Sequence, residues 1–321
     1  MDDLLRNAWC DLNKRFSRSL IYRVGIEAGF FSEYNNMILA MLYSLEHKLH
    51  FVLDSSSCNF HENGWNGFFE PFCENVIDTN EHFRPYDWRL SAKLIFREHT
   101  LKYVRNMYPY LSFWKKKLLT QDVFAKSRDR TLLRKYFYQP TLGINGDIQQ
   151  ACSQLVKLTW VYNKDTKRKI DAHIANLALP DMYIGMHIRV GDKYVEHRIE
   201  AIDKYFSCVR KSVLTRNLFA LTDDYSVIEE ISTRYPDWTV YTLCSKTERG
   251  YFHDSFMKES IDFRQNQLIK LFASIDILSN AQQFIGTYSS NPGMYIGMRN
   301  PNICTGVDFD HWMIWSILDC Y

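Results

Sequence analysis

The chain has no run of about 18 apolar residues, the length needed for a membrane-crossing helix. Its best apolar stretch near the start, Met37 to Leu45, is far too short, and no signal peptide is visible. If Met1 is the native start, the protein is expected in the cytoplasm; otherwise it is a trimmed soluble domain of an anchored protein. Charge of one sign is also missing. A formal net charge of +2 argues against a general nucleic-acid binder. The eight cysteines never form Cys-x-x-Cys, which argues against a zinc or thioredoxin-type site. Cys208 falls in a helical pattern and Cys244 at a strand end, where single buried thiols are common. Their even number permits disulfides without requiring them. Internal repeats and low-complexity segments are absent too.

A chain of 321 residues suggests about two domains. With 46% hydrophobic and 15% aromatic residues, it can bury a sizeable core. The boundary is expected between Lys164 and Pro180, where a charged run precedes one more helical segment. The expected division is 1–178 and 179–321. One stretch is biased: Arg97 to Lys135 carries eleven Lys or Arg against three Asp or Glu. A solvated helical face explains it, and an anionic contact surface is the alternative.

The most informative segment is His187-Ile188-Arg189-Val190-Gly191-Asp192-Lys193. It follows Met182 to Met186, a short apolar run that reads as a buried strand. In open α/β sheets, ligands bind outside the carboxyl ends of the strands. Arginine there keeps its charge and offers a rigid fork of donors to phosphate oxygens. A charged surface turn is the plainer reading of these residues alone.

The rest of this half adds context. Ala201 to Leu214 has helical spacing, with Ile202, Phe206, Val209 and Val213 on one face. Asn217 to Leu221 reads as a strand ending in Thr222-Asp223-Asp224. Tyr225 to Tyr235 reads as a helix, stopped before Pro236. Trp238 to Leu243 is a third strand, Ser255 to Ala281 a long helical stretch, and Gln283 to Tyr288 a fourth strand. Alternating strands and helices predict a parallel, Rossmann-like sheet. Ser289-Ser290-Asn291-Pro292 then reads as a helix N-cap. Its amides and the helix dipole form a candidate anion site, to which Ser289 and Ser290 would add hydroxyls. An ordinary cap that binds nothing is the alternative.

These motifs, in this order, resemble the GT-B fucosyltransferases that use GDP-fucose, above all the α1,6-fucosyltransferases and their rhizobial nodulation relatives. The family's His-x-Arg-Arg-x-Asp-Lys is matched by His187 to Lys193. Its Thr-Asp-Asp strand end and Tyr-Pro helix end are matched by Thr222 to Asp224 and by Tyr235-Pro236. Its Leu-Ser-x-Ala and Thr-Phe-Ser-Ser are matched by Leu278 to Ala281 and by Thr287 to Ser290. In the N-terminal half, Gly25 and Gly29 precede a helix at Ser32–Lys48. Phe51-Val52-Leu53-Asp54 and Gly64-Trp65-Asn66-Gly67-Phe68-Phe69-Glu70-Pro71 follow in the family's order. The resemblance covers roughly residues 22–300.

It implies an α/β, GT-B fold: two Rossmann-like domains facing a cleft, with a C-terminal helix at 311–318 crossing back to the first domain. It implies an inverting fucosyl transfer from GDP-fucose to a glycan hydroxyl, on an oligosaccharide or glycoprotein, without a metal. An anchored parent would then be a Golgi-type enzyme. Arg189 and the Ser289/Ser290 turn would stabilise the leaving diphosphate, and His187 would position the nucleotide. Asp223 and Asp224 would line the donor site. Lys193 would meet the acceptor, and Glu196 would take the hydroxyl proton, with Asp192 in reserve.

The chain also departs from the family. Val190 replaces its second arginine. The aspartate that reads guanine falls at Ser274, with Asp276 the candidate replacement. The tyrosine over the nucleotide aligns with Phe60. A transferase for another nucleotide sugar therefore remains open, as does an inactive nucleotide- or glycan-binding relative. Asp308-Phe309-Asp310 matches the Asp-x-Asp pattern of metal-dependent transferases, but it is expected after the end of the sheet and outside the site.

Overall fold

The computed structural model describes residues 2–26, 28–84, 116–191 and 199–314. It divides into two compact units, 1–161 and 162–321. Each is an α/β unit built on a parallel sheet, the class expected from the sequence.

The first unit begins with helix α1 (Asp2–Lys14). A three-stranded sheet follows, in the order β2 (Leu49–Asp54), β1 (Arg18–Arg23), β3 (Lys117–Leu119). Between β1 and β2 runs α2 (Phe30–Glu46), with nearly every residue from Phe30 to Leu42 buried. The expected helix is thus present, starting two residues earlier. Its Phe30 and Tyr34 join Trp65 and Phe69 by stacking and meet Trp160 edge-on, in one aromatic cluster. A hairpin of β4 (Phe137–Gln139) and β5 (Ile144–Gly146) leads into α3 (Ile148–Thr159), capped by the Asp147 side chain.

The second unit starts with α4 (Lys164–Ala175), capped by Asn163. Helix α4 packs on α7 (Ile261–Ser279), and Tyr162 meets Phe272 of α7. The charged run Lys164 to Lys169 is thus the first half of this helix rather than a segment preceding it, and the contacts place it in the second unit. The sheet has five parallel strands in the order β10 (Cys304–Gly306), β9 (Phe284–Gly286), β6 (Ile184–Ile188), β7 (Asn217–Thr222), β8 (Thr239–Tyr241). Central β6 is buried at all its positions, as a strand covered on both faces must be. A Cβ at Gly185 would press into Leu278 of α7, so glycine permits this close approach.

Three predicted elements differ from the observed ones. Ala201 to Leu214 is helical only over α5 (Ile202–Ser207). There the Gln283 amide takes the Cys208 carbonyl and the Arg210 N–H, which gives the backbone partners outside a helix. The stretch from Ser255 breaks at Ser260, which turns extended and caps α7 by accepting from the Phe263 N–H. The sheet also continues one strand further than read, because β10 is only three residues long. Of the C-terminal segment, 315–321 lies outside the described residues. Trp312 donates to the Met294 carbonyl on α8 (Asn291–Arg299), and Met313 and Ile314 are buried.

Candidate active site

Of the proposed site residues, His187, Arg189, Asp223, Asp224, Ser289 and Ser290 lie at or just past the carboxyl ends of β6, β7 and β9. Strand β6 runs through Ile188, so His187 lies inside the sheet rather than in the loop. It pairs with Leu221 on one side and Gly286 on the other, and is 4% exposed. Arg189 is the first residue past the strand. Its guanidinium is 2.7 Å from the Asp223 carboxylate at the end of β7.

Asp223 does more than neutralise Arg189. One oxygen accepts from the Val190 N–H at 2.9 Å, and the other from the Tyr251 N–H at 2.8 Å. The Tyr251 ring lies under the guanidinium, with Cζ 4.7 Å from the ring centroid. A cation over an aromatic face is attracted by the ring quadrupole. Arg189 is therefore fixed from two sides while keeping part of its surface in solvent, 19% of the side chain.

Gly191 makes this packing possible. Its φ of +25° is rarely adopted by residues with a side chain, and a Cβ would overlap the Asp223 carboxylate and the Tyr251 backbone. The loop bearing Tyr251 is anchored in turn. Gly250 N–H donates to the Asp223 carbonyl, and Tyr225 N–H to the Glu248 carbonyl. Glu248 also pairs with Lys270 of α7. Burial pushes the Glu248 carboxyl up, but Lys270 and the Ser245 N–H hold it below the usual carboxylate range.

At the end of β9, Ser290 caps α8 by accepting from the Gly293 N–H. The predicted cap is thus present. Ser290 Oγ lies 2.7 Å from the Thr287 carbonyl, to which it donates its proton. It is also 3.4 Å from His187 Nδ1. With its proton committed to Thr287, Ser290 Oγ can only accept from His187 Nδ1–H in this contact. Ser290 Oγ thus links the Thr287 carbonyl to His187. The amides of Tyr288 and Ser289 are not open either: both donate to the Asp308 carboxylate, at 2.8 and 2.9 Å. Asp308 reaches these amides because β10 brings the chain back alongside β9.

Other expected residues have different surroundings. Asp224 accepts from the N–H of Ser226, two residues on, at the start of α6 (Ser226–Arg234), a local turn contact. Asp276 pairs with Arg299 and accepts from the Tyr162 hydroxyl, so its carboxylate has partners within the unit. Ser274 donates to the Lys270 carbonyl. Phe60 belongs to the first unit's core, 4% exposed and edge-on to Phe30. Asp192, Lys193 and Glu196 lie outside the described residues. Among the described residues no group of three His, Cys, Asp or Glu could hold a metal ion. The sequence reading missed Tyr251 and Gly250. A glycine followed by an aromatic residue shortly after the third strand was the available signal.

Residues 147–292 match the family model described as alpha-(1,6)-fucosyltransferase N- and catalytic domains. The resemblance is therefore to the fucosyltransferases. The fold agrees. The fucosyltransferase NodZ from Bradyrhizobium superposes with a TM-score of 0.52 at 14% identity, over 89% of this chain and 94% of that one. NodZ alpha-1,6-fucosyltransferase soaked with GDP-fucose gives 0.51 at 16% identity, over 89% and 93%. A point mutant of Arabidopsis thaliana FUT1 in complex with GDP gives 0.51 at 13% identity, over 88% and 68%. No curated protein matches by sequence.

Proposed function

We propose that this chain is an inverting, metal-independent glycosyltransferase that moves L-fucose from GDP-fucose to a glycan hydroxyl. The observation that carries the reading is the Arg189 guanidinium, held past the end of the central strand by Asp223 and Tyr251. The family match over 147–292 and the shared fold support it.

The reaction is a single displacement at the anomeric carbon. The acceptor oxygen bonds to that carbon from one face while the bond to the diphosphate oxygen breaks on the other, through a transition state with oxocarbenium character. Negative charge grows on the departing GDP. A fixed guanidinium stabilises that charge without the reorganisation that water would need, and so takes the place of a cation. His187, held by Ser290, positions the nucleotide. A carboxylate must take the acceptor's proton. Glu196 is assigned that role, with Asp192 in reserve and Lys193 directed to the acceptor.

The second reading is a donor with another base. It is favoured by the pairing of Asp276 with Arg299, which occupies the carboxylate expected to read guanine. A thermal-shift panel of GDP, UDP and CMP, each with its sugar conjugates, separates the two. A ligand at 100 times its Kd stabilises the fold by about 2.7 kcal/mol. A shift with GDP and GDP-fucose alone is expected. A UDP preference would overturn the donor while leaving the fold untouched. Binding of GDP-fucose without transfer to any oligosaccharide tried would favour the inactive relative.

A further inference from the structure

We propose that Asp308 is a positioning residue of the donor site: its carboxylate sets the Tyr288–Ser289 turn, and through it the Thr287 carbonyl and Ser290 that support His187. This rests on the GDP-sugar reading above. The Asp-x-Asp pattern then has a role that involves no metal.

The role of Asp308 follows from where the sheet ends. Strands β9 and β10 run parallel, and their pairing closes with the Val307 N–H donating to the Gly286 carbonyl. Beyond that point the β9 chain must turn to enter α8, and its next amides lose their ladder partners. Thr287 is followed by Tyr288 and Ser289, whose two N–H groups both point to Asp308, one on each carboxylate oxygen. A carboxylate accepting two backbone N–H groups makes charge-assisted bonds, about twice as strong as neutral ones. It therefore fixes both peptide planes, not one.

Those planes carry the rest of the device. The Thr287 carbonyl receives the Ser290 hydroxyl, and Ser290 Oγ in turn faces His187 Nδ1 and the Gly293 N–H. Gly293 must be glycine, because a Cβ would overlap the Thr287 carbonyl. The same crowding holds at Gly306, where a Cβ would overlap the Phe309 carbonyl and the Tyr288 ring. Asp308 thus reaches His187 through a continuous chain: carboxylate to amides, turn to Thr287 carbonyl, carbonyl to Ser290, Ser290 to imidazole. Loss of the carboxylate frees the turn and with it the His187 support.

A second role for the same contact makes the opposite prediction. If the carboxylate merely filled an anion site that phosphate needs, removing it would tighten donor binding. The series Asp308→Ala, Asp308→Asn and Asp310→Asn separates the two, read as the Kd of GDP by calorimetry beside the melting temperature of each unliganded protein. Asp308→Ala should weaken GDP roughly ten- to hundredfold, the range that one or two charge-assisted bonds supply. Asp308→Asn, which keeps one acceptor oxygen and the shape, should fall between. Asp310 is exposed and holds neither of these amides, so Asp310→Asn should bind as wild type does.

Tighter GDP binding by either Asp308 variant would overturn the proposal in favour of a displaced internal anion. A lowered melting temperature with an unchanged Kd would reduce Asp308 to a fold staple and overturn it equally. If Asp308→Ala fails to fold, Asp308→Asn decides the question alone. If wild type does not bind GDP at all, the donor assignment fails and this inference falls with it. Equal binding by wild type and variants would sink only the Asp308 role.

Discussion

Asp223 holds the Arg189 guanidinium at 2.7 Å while the same carboxylate accepts the Val190 and Tyr251 amides. One side chain thus fixes the cation, the turn that follows it and the loop beneath it. The sequence placed Asp223 and Arg189 at the ends of two strands, and the register of β6 against β7 makes those ends adjacent: Ile188 pairs with Thr222.

Arg189→Ala should abolish transfer with little loss of folding. Removing one preorganised charge stabiliser typically costs about 100–1,000-fold in turnover. Val190 leaves no second arginine at the adjacent position, so the dependence should reach the upper part of that range. Turnover above about a tenth of wild type would be incompatible with the phosphate role. Asp223→Asn is expected to lower both turnover and stability, the latter by about 1–3 kcal/mol, because the variant puts an amide against a guanidinium and two N–H groups. Equal stability of Asp223→Asn and wild type in urea would argue against this shared anchoring.

Gly191→Ala tests the packing itself. The added methyl has no space beside Asp223 and Tyr251, and the positive φ adds strain of about 1–3 kcal/mol. The variant should fold less stably and lose GDP affinity together. Tyr251→Phe keeps the ring under Arg189 and should be near neutral, whereas Tyr251→Ala removes a cation–π contact of about 0.5–2 kcal/mol. A Phe variant as weak as the Ala variant would show that the hydroxyl, near His253 Nδ1, is what matters.

Much of this site was legible in the chain because its parts are local. A strand ending just before Arg189, another just before Asp223, and a Ser290–Pro292 helix start each carry their signal within a few residues. What escaped reading depends on contacts distant in sequence. Asp308 reaches Ser289 across a three-residue strand too short to show a period. Tyr251 reaches Arg189 from a loop 62 residues on. Asp276 is the candidate for the nucleotide only as a replacement, two residues on, for the family's aspartate at Ser274, and its partner Arg299 sits on the next helix. Spacing identified which residue occupies a position, but not which cation stands opposite it.

Metal and base are tested together. Activity should survive excess EDTA, since Arg189 supplies the positive charge and Asp308 is occupied by two amides. Glu196→Gln should keep GDP binding and lose about 100–10,000-fold in turnover, the usual contribution of a general base. EDTA inhibition reversed by Mn²⁺ would require a different mechanism. Full activity in Glu196→Gln with loss in Asp192→Asn would move the base role to Asp192.

The first unit should be acid-sensitive through a buried polar chain. His82 bridges Asp78 and Thr120, with Nε2 2.8 Å from the Asp78 carboxylate and Nδ1 2.9 Å from the Thr120 hydroxyl. Burial pulls the His82 ring below 6.5, against the opposing pull of Asp78. Burial pushes Asp78 up, but its bonds from His82, Lys117 and Asn80 outweigh that and hold it down to about 2. Both groups bind protons less readily folded than unfolded, so each stabilises the fold above its unfolded value and loses that contribution on acidification. The His82 share should begin to fall below pH 6.5, and the Asp78 share between 3.8 and about 2. Urea unfolding of wild type and Asp78→Asn at pH 7, 5 and 3 measures this. Wild type should lose more stability than the variant between pH 5 and 3, because only wild type has a carboxylate there to protonate. Parallel pH profiles would show that the Asp78 charge does not support the folded unit.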